Sequence, residues 1–216
     1  MRSGSWVLVA TLLLSHTSPA SDQAHRAADV REDATALYTH RVTLQCPQEI
    51  VLRALNHPVL MGELWRASGY TPVYQITALD NPTDVHLDDP TGIVGDAFLV
   101  SAEADRRVYL AEGELDHWAV PMLNRGSVVI EISWQARGNS TRLEIAVYLK
   151  PESWLAGAVL RVFSPVVEKH LGKRVTANAR DAATLLEDIP SRPAQVASRL
   201  EGQSRVDFEN LFLPGQ

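Results

Sequence analysis

The stretch RVYLAEGELDHW, residues 107 to 118, sets Glu112 and Glu114 two positions apart and His117 just beyond them. Residues two apart on a strand share a face. Paired carboxylates beside a histidine are the components of a general acid/base site. The chemistry depends on phasing. If Val108 and Leu110 point inward, both glutamates line an apolar interior, and burial there would raise a carboxyl pKa. If Tyr109, Ala111, Gly113 and Leu115 point inward, both glutamates lie in water. The rarity of buried unpaired carboxylates favours the second phasing. His117, next to Asp116 at the strand end, fits a structural or exposed histidine better than a catalytic one. Glu112, Glu114 and His117 are therefore the acid/base candidates, no catalytic residue is assigned, and the balance leans away from an enzyme.

His86 with Asp88 and Asp89 has the residue types of a metal site. A facial triad needs two histidines and a carboxylate held together, and His40, His57, His117 and His170 show no ligand spacing to His86. The sequence DDPTGIVGD reads better as a polar turn at Asp89-Pro90-Thr91-Gly92. No G-x-S-x-G elbow, phosphate-binding glycine loop, H-E-x-x-H or dinucleotide fingerprint occurs. The sequence thus calls for no cofactor and no metal. Cys46 is the single cysteine, so an intrachain disulfide is excluded, and it reads as a small buried hydrophobe at a strand end. Asn139-Ser140-Thr141 is a formal glycosylation sequon.

The 216 residues suffice for one domain with appendages, and 45% hydrophobic with 21% charged residues is ordinary globular composition. At the N-terminus, Arg2 precedes the apolar run WVLVATLLL, and Ser18-Pro19-Ala20 offers small residues for cleavage after Ala20. These are the parts of a secretory signal over residues 1–20, since the run is too short to span a bilayer. Loss of that segment would remove Arg2 alone and take the net charge from −6 to −7. The expected mature chain is secreted or periplasmic, with no stable membrane span. Its acidity opposes nucleic-acid binding and gives no electrostatic attraction to anionic lipids.

Residues 21–36 are polar and alanine-rich and read as a linker or a marginal helix. YTHRVTL alternates as a first strand. PQEIVLRAL then carries Ile50, Val51, Ala54 and Leu55 on one helical face, and VLMGELW follows Pro58 as a second short helix. From Val73 the period changes to two through VYQITAL, DVHLD, GDAFLVSAE, RRVYLAEGELDHW, GSVVIEISWQAR and STRLEIAVYLK. Turn residues separate these runs, which predicts an antiparallel meander with its clearest hairpin at Gly138-Asn139. After Pro151 the period returns to 3.6, from Leu155 to Ile189. This predicts one long helix, or two meeting at Ser164-Pro165, with Lys169, Lys173, Arg174, Arg180 and Asp181 on the reverse face. Residues 190–216 read as a Pro-containing tail with an apolar end, VDFENLFLP.

A strand, two short helices, six strands and a long helix predict an α+β fold. A curved antiparallel sheet of about seven strands would have its apolar face covered by the C-terminal helix. With PQEIVLRALNHPVLMGELW after the first strand and FSPVVEKHLGKRVTANARDAATLLEDI at the end, residues 37–189 resemble the START-like (SRPBCC) helix-grip superfamily of polyketide cyclases and lipid-transfer domains. The resemblance implies a cavity between sheet and C-terminal helix, holding a lipid, sterol, polyketide or other apolar molecule. It also implies that this ligand enters beside the two short helices.

Strand faces then nominate the lining. Val128, Ile130, Ile132 and Trp134 share one side of their strand, and Leu143, Ile145, Val147 and Leu149 form the apolar set of the next. Trp134 is either a cavity wall or plain core. Trp65, Tyr70 and Tyr74 bracket the exit from the second short helix, where the implied mouth would be. Val162 and Val166 are the lining candidates on the long helix. Three functions follow: a carrier for an apolar small molecule or lipid, a cyclase- or hydrolase-like enzyme using Glu112, Glu114 or His117, and a module docking a protein partner through its apolar tail. For that tail the alternative is that Phe208, Leu211, Phe212 and Leu213 fold back on their own domain.

Overall fold

The computed structural model describes residues 19–90, 92–115 and 125–213, with side chains between 154 and 171 outside that description. The seven strands β1 (Ala36–Leu44), β2 (Gln75–Ala78), β3 (Val85–Asp89), β4 (Ile93–Ala102), β5 (Arg106–Leu115), β6 (Arg125–Arg137) and β7 (Ser140–Pro151) form one antiparallel sheet in the order β1-β7-β6-β5-β4-β3-β2. Strands β2 to β7 are the expected meander. Between β6 and β7 the two-residue loop Gly138-Asn139 joins the pair Arg137↔Ser140, and Gly138 has φ +61°, a conformation glycine adopts without penalty.

Gly95 on β4 faces Gly113 on β5 at unusually close range. A Cβ on either glycine would collide with the other strand's backbone, at Glu112 O or Val94 O. Only glycine permits that approach, and it helps give the sheet a concave side.

Helices α2 (Gln48–Asn56) and α3 (Pro58–Ala67) follow β1, and α4 (Trp154–Ser191) follows β7 as one continuous helix running through both Pro165 and Pro190. Helix α4 lies against β1, where Gly172 packs on the Tyr38 ring: a Cβ there would sit 2.6 Å from Cε2. One turn on, Thr176 Oγ1 is 2.9 Å from Tyr38 Oη. The C-terminal turns bury Leu185, Leu186 and Ile189 in a core shared with Leu44, Cys46, Val51, Leu60, Leu64, Trp134 and Leu143. Cys46 is fully buried, and burial pushes its thiol up to about 11, in keeping with a packed rather than reactive cysteine.

Two segments left open by the sequence are packed on the domain. The polar stretch read as a linker or a marginal helix is helix α1 (Pro19–Glu32), lying on the convex face. Its Ala27 and Val30 are buried against Val108, Leu110 and Val129. Ion pairs from Arg26 to Glu112, from Arg31 to Glu131 (2.7 Å) and from Lys150 to Asp33 (2.8 Å) fasten the segment. The apolar tail is likewise no free end. It forms α5 (Pro193–Ala197) and α6 (Gly202–Phe212), whose Val196, Ala197, Phe208 and Phe212 enter the main core. Arg53 on α2 donates to Leu211 O at 2.7 Å, and Arg199 donates to Ser68 Oγ at 3.1 Å. Apolar side chains that could have docked a partner are thus spent inside the domain, as the fold-back alternative had it.

Candidate functional site

The phasing of β5 is settled by its neighbours. Tyr109 and Ala111 lie on the concave side, where the Tyr109 hydroxyl donates to Leu55 O of α2 at 3.3 Å. Burial pushes that phenol up to about 12, so it stays protonated and neutral. Glu112 and Glu114 share the convex side with Val108 and Leu110. There Glu112 pairs with Arg26, and Glu114 accepts from Arg125 at 2.6 Å and 2.9 Å. Neither glutamate faces the concave interior, so the cavity acid/base pair is overturned. The reason is that β5 has an apolar residue on both faces, because α1 covers the side that would otherwise be solvent. His117 lies outside the described residues.

His86 Nδ1 lies 2.7 Å from Asp96 Oδ1, while Asp89, 1% exposed, is engaged by Arg174 of α4. Two of the side chains considered for a metal site, His86 and Asp89, therefore turn to different partners. The turn after β3 is present as expected, closed by Gly92 N–H to Asp89 O at 2.8 Å.

Three of the nominated aromatics do come together. The Trp65 ring packs on Tyr70 and Tyr74 with centroids 5.1 Å and 5.6 Å apart, both tilted, a favourable aromatic geometry. Trp65 itself is buried and donates its indole N–H to Pro72 O at 2.9 Å. Burial, with Asp181 and Asp188 nearby, raises the Tyr70 phenol above its ordinary value. Tyr74 leads into β2 and meets α4: its hydroxyl accepts from Asn178 Nδ2 at 2.6 Å, and the Arg174 guanidinium lies 5.9 Å from its ring centre. Residues 172–178 of α4 are thus held on one side by Tyr38 and on the other by Tyr74 and Asp89. Trp134 lies apart from that cluster, 2% exposed in the main core, with Arg107 stacked 5.3 Å above its ring. Val162 and Val166 have side chains outside the described residues.

Sequence reasoning missed Arg174, Asn178 and Arg107. Arg174 had been assigned to the outer face of the long helix, yet with Asn178 it forms an i,i+4 pair directed at the sheet edge. Arg107 follows Tyr109 onto the concave face by period two, a signal available once the strand's phasing is known.

The concave wall is unevenly packed. Leu143, Val147 and Trp134 are buried, but Tyr109, Ala111, Val128, Ile130, Ile132, Ile145 and Leu149 keep part of their surface accessible. On the convex face, by contrast, Val108, Leu110 and Val129 are 0–3% exposed under α1.

No family model matches the chain, and no curated protein matches it in sequence. Solved structures do resemble it. A START superfamily protein from Mycobacterium smegmatis aligns at 14% identity over 71% of this chain and 98% of its own, with a TM-score of 0.49. Truncated norcoclaurine synthase from Thalictrum flavum aligns at 11% identity over 69% and 92%, with a TM-score of 0.47. DynU16, from the dynemicin biosynthetic locus, aligns at 12% identity over 73% of this chain, with a TM-score of 0.43. This chain spans about half of DynU16, 48% of its length. By its strand order, the two short helices after β1 and the long α4 laid along the concave side, the chain has the helix-grip fold.

Proposed function

We propose that the chain is a carrier for an apolar small molecule, a lipid being the first candidate, held between the concave face of the sheet and α4. The observation that carries this reading is the accessible apolar wall from Val128 and Ile130 to Ile145 and Leu149, in a sheet whose other face buries Val108, Leu110 and Val129 under α1. Binding would work by desolvation, at about 25 cal/mol per Å² of apolar surface removed from water. Tyr109, whose hydroxyl oxygen can still accept while its proton goes to Leu55 O, and the polar residues at the Tyr74 edge would supply the few orienting contacts such pockets use.

Native mass spectrometry and organic extraction of the purified protein should yield a co-purifying apolar molecule; a consistently empty protein would count against the carrier. Ile130→Trp separates a cavity from a packed core. In a packed core the added ring costs about 1–3 kcal/mol. Beside a cavity it is expected to leave the melting temperature nearly unchanged while reducing ligand affinity at least tenfold.

The carrier is further proposed to act outside the cytoplasm, secreted or periplasmic, on the strength of Arg2, the apolar run that follows and Ser18-Pro19-Ala20. Among the described residues no helix is long and apolar enough to cross a membrane. Sequencing the exported protein should give Ser21 as its first residue; an intact Met1 terminus would reject the signal.

A further inference from the structure

We propose that Arg107 and Trp134 form a head-group subsite for the carboxylate of an amphipathic acid whose chain lies along the concave wall. This rests on the carrier reading and narrows it to a ligand class. Arg107 is 9% exposed, and a guanidinium so buried is normally paired with an acid. Here its Nη1 donates only to main-chain carbonyls, Glu103 O and Arg106 O (3.1 Å). The Glu103 carboxylate turns instead to Arg106 and Ser101, so among the described residues no acidic side chain neutralises Arg107.

Two donors at this place are also unspent. Arg107 Nε and Trp134 Nε1 are both buried without a hydrogen-bond partner, and the guanidinium stacks over the Trp134 ring at 5.3 Å. Buried N–H groups are nearly always satisfied, because leaving one unpaired forfeits its hydration. One anionic acceptor would satisfy the charge and the donors together. A carboxylate has the oxygen lone pairs to take two N–H groups at once.

The surroundings define the rest of the ligand. Arg107 pairs across the sheet with Ile132, and Tyr109 pairs with Ile130. The subsite is therefore continuous with the accessible apolar wall rather than with the convex face. Tyr109, held neutral, adds no competing negative charge. A ligand with an acid at one end and a hydrocarbon body matches both chemistries. A long-chain alcohol matches only the second.

The test compares dodecanoic acid with 1-dodecanol on the full chain at pH 8, by competition for a neutral apolar dye. Dodecanoate is expected to bind at least tenfold more tightly than the alcohol. Arg107→Gln should bring the two within about threefold of each other, mainly by weakening the acid. Trp134→Phe, which keeps the ring packing and deletes the N–H, should weaken the acid several-fold and leave the alcohol unchanged. Equal binding of both probes by the unmodified chain overturns the head-group subsite and leaves the carrier standing, as does a preference for the acid that survives in Arg107→Gln. Failure of both probes to bind overturns the subsite and the carrier together. The head-group comparison on the unmodified chain needs no variant to fold. Because Arg107→Gln also gives up the donors to Glu103 O and Arg106 O, the ratio of acid to alcohol binding in each folded variant, and not its melting temperature, is the readout.

Discussion

Phe208→Ala is expected to destabilise the chain by about 3–5 kcal/mol, the usual cost of emptying a fully buried aromatic site. For a domain of this size that corresponds to roughly 6–20 °C in melting temperature. Phe208 is 0% exposed, packs at a tilt on Phe212 with ring centroids 5.0 Å apart, and belongs to the same core as Trp134 and Leu185. The expectation is strong because the sequence places this residue in what reads as an appendage. Were residues 190–216 a separable tail, the substitution would leave thermal and denaturant unfolding untouched. Were they a docking arm, it would weaken partner binding and not stability. A large loss of stability with unchanged cooperativity is the outcome the packing demands.

Asp89→Ala should have the next largest effect, about 3 kcal/mol by chemical denaturation, near the low end for removing one member of a buried ion pair. The side chain of Arg174 keeps 29% of its surface exposed, so it recovers some hydration when its partner is removed. The pair joins the end of β3 to α4, beside the contacts of Tyr74 with Asn178 and Arg174. A double-mutant cycle with Arg174→Met checks the assignment. The double variant should lose less stability than the two single variants added together, because the shared ion pair can be lost only once. Additive losses would mean that the two side chains act independently.

The fold was largely legible because its strands alternate and its long helix keeps a 3.6 period. Gly138-Asn139 fixed one hairpin outright, and PQEIVLRAL showed its buried face in Val51 and Ala54. What escaped has a common physical origin: surfaces covered by elements that look unimportant on their own. Helix α1 presents only Ala27 and Val30 to the sheet, too little apolar surface to mark an amphipathic helix in isolation. Once α1 is in place, β5 is covered on both sides. Val108 and Leu110 are then as apolar as Tyr109 and Ala111, and alternation no longer tells inside from outside. In the tail, Phe208 and Phe212 do stand at i,i+4, but the prolines at 190 and 193 disguise a continuing core as its end. At the candidate site the aromatics were visible by type. The charges that fix them were not, since an arginine within a polar stretch carries no mark of the direction it faces.

The pairing of β1 with β7 also governs when the domain can form. Ala36 stands opposite Leu149, Arg31 reaches Glu131 across 100 residues, and Arg53 reaches Leu211 across 158. Contacts so distant along the chain cannot begin to offset the entropy of loop closure until both ends exist. During synthesis, the first strand has no neighbour until the seventh has left the ribosome. The core has no floor until Phe208 and Phe212 follow. Completion of the core therefore waits for the segment that carries Phe208 and Phe212, and until it emerges the sheet and α4 lack part of the apolar surface they pack against.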